Sequence, residues 1–290
     1  MTQLCGRSFS VIPKPFVKWA GGKRQLLNTI RSMLPAKYGA YYEPFLGGGA
    51  VFLDMLRHQP SRKYFVSDLN QELILAYEAI RDNVDDLIKI LKEHAVSFNN
   101  SREYYNRVRS QSPDRRVEEA ARLLFLNKTC FNGLYRVNSK NQFNVPMGSY
   151  HNPEIVHEDN LRSINAILNS DNVTIRCGDF EESVKYAKSG DMIYFDPPYQ
   201  PVNSTSSFTQ YTRYGFSYED LKRLARVCET LHSAGCMVML SNSNVDAVEQ
   251  LFDREIWYIK RVRAARAINS VGTKRVGHQE LIITNYITPR

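Results

Sequence analysis

The tetrapeptide Asp196-Pro197-Pro198-Tyr199 carries the most pointed chemistry in the chain. It follows the apolar run Met192-Ile193-Tyr194-Phe195, which reads as a short buried strand. Two successive prolines can neither extend a sheet ladder nor enter a helix interior, so the strand ends there. A carboxylate is left at the strand's carboxyl end with an aromatic ring beside it, on the edge where open α/β sheets bind ligands. The chemistry this suits is methyl transfer to an exocyclic amine. Such an amine on a purine is a poor nucleophile because its lone pair is delocalised into the ring. Hydrogen bonds from it to the Asp196 carboxylate and the Pro197 carbonyl would pull the nitrogen toward tetrahedral geometry and aim the lone pair at an electrophilic methyl group. The prolines stiffen the turn that aims the carbonyl. Tyr199 offers a face for stacking the base. The competing reading is a strand-ending turn with a capping aspartate and a core tyrosine, because short motifs recur by chance.

A second constellation lies upstream. Tyr41-Tyr42-Glu43-Pro44-Phe45-Leu46 runs as a strand into Gly47-Gly48-Gly49, and a helix begins at Ala50. Glycines let the backbone turn and approach a ligand without a Cβ clash. A further strand, Tyr64-Phe65-Val66-Ser67, ends in Asp68, about 20 residues on, where an acid accepts hydrogen bonds from a nucleoside ribose. The glycines are not the dinucleotide GxGxxG, so the pattern fits a nucleoside cofactor without a pyrophosphate, such as S-adenosylmethionine. The sheet resumes at 173–180 with a strand that ends in Asp179-Phe180, a polar group and a ring that could face the cofactor's adenine. Phe16-Val17-Lys18-Trp19-Ala20-Gly21-Gly22-Lys23 precedes a helical pattern ended by Pro35. It either binds an anion through backbone N–H groups and the lysine or is a turn with solvated lysines. It lacks the P-loop spacing.

These groups need a scaffold. Strand and helix alternate up to residue 70 and again from about 171, which gives an α/β fold with a parallel sheet. Between them, 72–91 and 114–130 carry helical apolar spacing. Two short apolar pieces around a polar turn at 131–146 suggest a hairpin. Its arginine can bind guanine bidentately, Leu134 can touch a thymine methyl, and Phe131 can wedge into a base stack. Alone, the same residues describe an Asn-Gly turn with an exposed arginine. Residues 216–234 and 245–252 read as helices and 236–240 as a buried strand. Residues 256–262 and 280–286 form a closing antiparallel pair. Residues 1–13 read as a loose arm and the polar stretch 201–216 as a loop over the site. A basic excursion around Asn269-Ser270-Val271-Gly272 suits phosphate contact.

A formal net charge of +8 and a pI near 9.2 favour a polyanionic partner, with nucleic acid the first candidate. No apolar run reaches membrane-span length and the N-terminus lacks a signal-peptide core, so a cytoplasmic protein is expected. Five scattered cysteines without a CxxC pair exclude a disulfide framework. Cys130, Cys177, Cys228 and Cys236 read as reduced core residues, and no metal site is expected.

In this order and spacing the motifs resemble the Dam family of DNA adenine-N6 methyltransferases, a group that includes GATC-methylating enzymes. The match covers residues 18–23, 43–49, Asp68, 131–146, 178–180 and 196–199. The resemblance implies a Rossmann-like S-adenosylmethionine-dependent domain formed by residues 1–70 and 171–290, with an inserted, mainly helical target-recognition domain at 71–170. It implies that Trp19, Lys23, Phe45, Gly47, Gly49, Asp68, Asp179, Phe180 and Asp196 line the cofactor. Asp196, Pro197 and Tyr199 would hold a flipped adenine. Lys18, Phe131, Asn132, Leu134, Arg136 and Pro146 would meet double-stranded DNA, with Phe131 and Asn132 filling the gap left by flipping. The family often has tyrosine where Phe131 stands here, so an aromatic wedge is kept and a hydroxyl contact is lost. A monomer without an obligate protein partner is expected.

Two other readings compete: a methyltransferase for another planar amine (cytosine N4 or a protein glutamine amide), and a non-catalytic DNA-binding protein on the same fold. An intact Asp196–Tyr199 motif together with Asp68 argues against the second. The aspartate that opens the motif and the 131–136 turn favour adenine over the first. The setting stays open among restriction–modification, a phage and housekeeping.

Overall fold

The computed structural model describes residues 2–4, 7–9, 12–199, 216–252, 254–264 and 278–288. Its apolar runs at the sheet centre are buried along their whole length, as strands covered on both faces must be. These are β3 (Tyr41–Glu43) and β6 (Met192–Phe195). With β4 (Tyr64–Asp68), β5 (Val173–Cys177), β7 (Met237–Ser243), β8 (Tyr258–Ala264) and β9 (His278–Thr284) they form a seven-stranded sheet in the order β5-β4-β3-β6-β7-β9-β8. Strands β3 to β7 are mutually parallel, while β9 runs antiparallel between β7 and β8. The order reverses between β3 and β6, so their carboxyl ends flank the crevice where an open α/β sheet takes its ligand.

Strand parity decides which side chains meet. Tyr41, Tyr64, Val66, Tyr194 and Ile282 pack into one core with the helices of the middle region. Tyr42, Ile193, Phe195, Leu281 and Ile283 pack into another with α9 (Tyr218–Ser233). Alternate residues thus face opposite layers, and a one-residue slip would exchange the two sets. Glu43, Asp68 and Glu280 share parity with the first set, and Asp196 lies one step beyond Phe195 on the same alternation. The acids at the carboxyl edge therefore gather on one face.

Helix α1 (Leu27–Met33) and α2 (Ala50–His58) lie beside the sheet. Between β4 and β5 stand α3 (Gln71–Asp82), α4 (Val84–Phe98), α5 (Arg102–Ser110), α6 (Arg116–Thr129) and α7 (Glu158–Leu168). The helix expected over 72–91 is in fact two, because Asn83 leaves helical geometry at φ −138°. Periodicity did not mark α5 or α7. The expected hairpin is looser than a ladder: a single 3-10 turn at Phe131–Gly133 and isolated bridges, Cys130 to Met147 and Val137 to Phe143. Residues expected to form a loose arm include an antiparallel pair, β1 (Thr2–Leu4) with β2 (Arg7–Phe9). Cys177 is exposed, contrary to the core reading, because it ends the edge strand β5. Cys5, most of the loop at 201–216 and the basic excursion around 269–272 lie outside the described residues. No helix among the described residues is long and apolar enough to cross a membrane.

Candidate active site

At the end of β6, the Asp196 Oδ1 atom stands 2.8 Å from Lys23 Nζ, with the lysine side chain only 3% exposed and the aspartate 16%. Lys23 reaches this spot because the Gly21-Gly22 turn, with Gly21 at φ +77°, folds the chain so that Nζ also donates to the Gly21 carbonyl at 2.7 Å. The ammonium lies over the Tyr199 ring, 4.6 Å from its centroid, and 4.0 Å from Glu280 Oε2. The Tyr199 hydroxyl donates to that same Glu280 oxygen at 2.6 Å. Burial pushes the Asp196 carboxyl up to about 6; Lys23 acts the other way, and the nearby Glu280 charge adds to the rise. Pro197 is buried, so its ring fixes the turn from inside.

The end of β3 adds a group to which the motif patterns assign no role. Glu43 is 2% exposed and accepts a hydrogen bond from the Tyr41 hydroxyl at 2.7 Å. Desolvation raises its carboxyl to about 8, and the facing Asp196 charge contributes to the rise. A charged residue inside the run Tyr-Tyr-Glu-Pro-Phe was the available signal, since an unpaired buried acid is rare without a purpose.

The glycine turn is built tightly. Asp68 Oδ2 accepts from the Gly47 N–H at 2.9 Å and Oδ1 from the Asn70 N–H at 2.9 Å, so the acid ends β4 by tying it to the turn after β3. Burial raises the Asp68 carboxyl and these backbone donors oppose it. Gly47, at φ +50°, leaves room for Trp19, whose Cδ1 would lie 2.9 Å from an added Cβ. At Gly49, φ +72°, a Cβ would stand 2.6 Å from the Tyr77 hydroxyl. These glycines admit protein rings close to the backbone, the same freedom a ligand would use.

Aromatic rings line the other side. Phe45 stacks on Phe180 at 5.4 Å and meets Phe216 edge-on at 5.8 Å. Asp179 caps α8 (Phe180–Val184) by accepting from Glu181 N–H. It is also gripped at both oxygens by Arg223, at 2.8 Å each, and that guanidinium covers the Phe180 ring at 4.3 Å. Arg223 comes from α9, which starts with a capping box between Ser217 and Asp220. Nothing in the sequence pairs residues 179 and 223.

The expected DNA-facing residues gather next to Lys18. Asn127 on α6, fully buried, accepts from the Lys18 N–H at 2.8 Å and donates to the carbonyls of Lys18 and Gly133 at 2.9 and 3.0 Å. Its side chain thus joins the segment bearing Trp19 and Lys23 to the turn bearing Phe131 and Asn132. Phe131 is 48% exposed, and Asn132 holds a left-handed φ of 56°. The Pro146 carbonyl accepts from the Phe131 N–H at 2.8 Å. Arg136 is exposed with Nε on Asn144 Oδ1 at 2.7 Å, whereas Leu134 packs partly against the core. Tyr135 stacks on Trp19 at 5.1 Å, a second bridge between the two groups. The structure therefore brings Lys23, Asp196, Pro197 and Tyr199 into one corner, Trp19 against the Gly47 turn that Asp68 ties down, Phe45 with Phe180 and Asp179 into a wall, and the 131–146 residues onto a surface joined to Trp19 through Tyr135.

Residues 19–268 match the family model for the D12 class of N6 adenine-specific DNA methyltransferases. Among curated proteins, the chain is 46% identical over 279 residues to the Type II methyltransferase M1.LlaDCHI of Lactococcus lactis subsp. cremoris, covering 94% of this chain and 95% of that protein. It is 44% identical to the Type II methyltransferase M.MjaIII of Methanocaldococcus jannaschii, covering 94% and 99%. It is 32% identical to the DNA adenine methylase of Escherichia coli strain K12, covering 93% and 94%. The chain belongs to the family of D12 class N6 adenine-specific DNA methyltransferases.

Proposed function

We propose that the protein methylates adenine N6 within GATC in duplex DNA, after rotating the base out of the stack into the corner formed by Asp196, Pro197 and Tyr199. The observation that carries this is the buried Asp196 carboxylate, held at the switch point beside an aromatic face. S-adenosylmethionine supplies an electrophilic methyl group on a sulfonium. The fit of this cofactor rests on the glycine turn, which admits a ring against its backbone, and on the Phe45 and Phe180 wall. Trp19, Lys23, Gly47, Gly49, Asp68 and Asp179 complete its surroundings in this reading. Asp68 and Asp179 keep lone pairs beyond those used by their protein partners, since a carboxylate has about four acceptor sites.

Asp196 and the Pro197 carbonyl accept the two N6 hydrogens, and those hydrogen bonds strengthen as positive charge builds on nitrogen. Asp196 is then the first acceptor for the proton that the methylated nitrogen must lose. Flipping costs a few kcal/mol, and Phe131 with Asn132 fills the vacated space. Lys18 contacts the backbone near the start of the site, while Leu134, Arg136 and Pro146 meet the later base pairs. The names of the two Type II relatives support a place in restriction–modification.

The test is transfer of tritium from labelled S-adenosylmethionine to paired duplexes that differ only in GATC versus GTTC. Label recovered as N6-methyladenine from the GATC duplex alone supports base and site together. Equal label in both keeps the chemistry and removes the assigned site. Label on cytosine N4, or on a glutamine amide in a protein substrate, would replace adenine as the acceptor.

A further inference from the structure

The family-model match ends at residue 268, and the acid facing the site from β9 lies beyond it. Glu280 pairs across the sheet with Ser243 of β7 and Val262 of β8. Because β9 is antiparallel to β7, its first residues arrive at the carboxyl edge that holds Asp196. Parity turns Glu280 to the same face as Ile282, and so toward Lys23 and Tyr199. There it accepts the Tyr199 hydroxyl at 2.6 Å.

A tyrosine hydroxyl has one proton to donate. Two carboxylates stand beside the same ring, since Lys23 Nζ, over Tyr199, lies 2.8 Å from Asp196 Oδ1 and 4.0 Å from Glu280 Oε2. If the hydroxyl turned to Asp196, it would cap an oxygen that the adenine amine needs. We propose that Glu280 is a positioning residue for the transfer: by taking the Tyr199 hydroxyl proton it fixes the ring and leaves Asp196 free to accept from N6. This rests on the assignment of Asp196 and Tyr199 to the adenine. Glu280 itself need not touch the base. Lys23, 4.0 Å away, balances part of its charge.

The experiment measures single-turnover methylation and DNA affinity of the full chain, with S-adenosylmethionine and a duplex shown by sequencing to be methylated. The variants are Glu280→Ala, Glu280→Gln, Tyr199→Phe and the double variant Glu280→Ala/Tyr199→Phe, with Asp196→Ala run alongside. Losing a hydrogen bond to a charged acceptor predicts a rate about 10- to 100-fold lower in Glu280→Ala with DNA affinity kept. Glu280→Gln retains an acceptor oxygen and keeps the rate within several-fold. The double variant has no hydroxyl to cap Asp196, so it is faster than Glu280→Ala alone. A structural defect would not be relieved by a second substitution.

The acidic limb of kcat/KM gives an independent readout. Asp196 is faced by Lys23, Tyr199, Glu43, Tyr194 and Glu280, and only the last loses charge in Glu280→Gln, so the limb moves to lower pH. A near-normal rate in Glu280→Ala, or losses that multiply in the double variant, overturns the proposal. If Asp196→Ala also retains turnover, the assignment of the site falls first; if Asp196→Ala is inactive, only the role of Glu280 falls.

Discussion

The carboxyl edge of the sheet and the turn at 131–146 solve opposite problems. At the edge, Asp196, Lys23, Tyr199 and Glu280 are locked together by an ion pair, a ring contact and a short hydrogen bond, and little of Lys23 or Asp196 meets solvent. At the turn, Phe131 and Arg136 stand in solvent on a frame of isolated bridges. Groups that must stabilise a transition state gain from being preorganised out of water. Groups that must read a DNA groove have to remain reachable and gain their partners from the DNA itself. The comparison teaches where each kind of substitution should register: rate and pH dependence at the edge, specificity at the turn.

The largest effect belongs to Asp196→Ala. It should lower kcat by about 10²- to 10⁴-fold, the range for losing a group that acts directly on the reacting atom. DNA affinity measured by fluorescence anisotropy should change by no more than a few-fold. In the wild type, kcat/KM should fall as pH drops through about 6, where Asp196 takes up a proton and no longer accepts from N6. A profile flat down to pH 5 would break the contrast by removing the carboxylate from the chemistry.

Glu43 gives the next effect, and it is one of stability. Its carboxyl is raised from an ordinary 4.5 to about 8, so the folded chain holds that proton more tightly than the unfolded chain. Stability from this group is therefore highest below the unfolded value and declines as pH rises from about 4.5 to 8. Glu43→Gln stays neutral and its amide oxygen still accepts from Tyr41. It should be more stable than the wild type at pH 8.5, by on the order of a few kcal/mol, and so melt higher, with the gap closing toward pH 5. Equal melting temperatures at both pH values would mean that the edge does not store charge in this way.

Asn127 tests the seam between the two regions. Asn127→Ala removes the hydrogen bonds to Lys18 and Gly133 and leaves their backbone groups to find water. The expected cost is about 2 to 4 kcal/mol in urea unfolding. Because the lost links hold Lys18 against the turn, discrimination between cognate and single-substituted duplexes should narrow as well. Lost stability with unchanged discrimination would make the asparagine a structural clamp only.

How much of this was legible in the sequence follows from the range of the interactions. The strands at 41–46, 64–67 and 192–195 are legible as mostly apolar runs bounded by glycines, an acid or prolines. Asp68 is legible because it ends a strand about 20 residues after a glycine turn, and Asp196 because a proline pair marks where its strand stops. The partners that orient them were not. Arg223 lies 44 residues from Asp179 and Glu280 lies 81 from Tyr199, joined by helix and strand packing that no local spacing encodes. Asn127 follows the apolar run Leu123-Leu124-Phe125-Leu126 near the end of α6, where a polar residue carries no sign of which distant backbone it will satisfy. The break at Asn83 was hidden because the apolar period continues through it while the backbone does not. Asp68 and Asp196 could be picked out one by one, but Glu43 and Glu280, and the gathering of all four on one face, required the register of the sheet.

The smallest expected effect is the one that sharpens the comparison most. Arg136 bonds to Asn144 on the surface, and both are available to a DNA groove. Arg136→Ala should leave folding stability within about 0.5 kcal/mol, as surface substitutions do. If the guanidinium reads a guanine edge, the variant should lose about 1 to 3 kcal/mol of discrimination at a single base pair while keeping its rate on the best duplex. Methylation of a library of duplexes randomised around the adenine separates this from a backbone role, since a phosphate contact would weaken all sequences alike and flatten the salt dependence. Relaxation confined to one position would place reading at the turn and chemistry at the sheet edge; a uniform drop in rate would mean that the turn also helps to assemble the catalytic corner, through Tyr135 against Trp19.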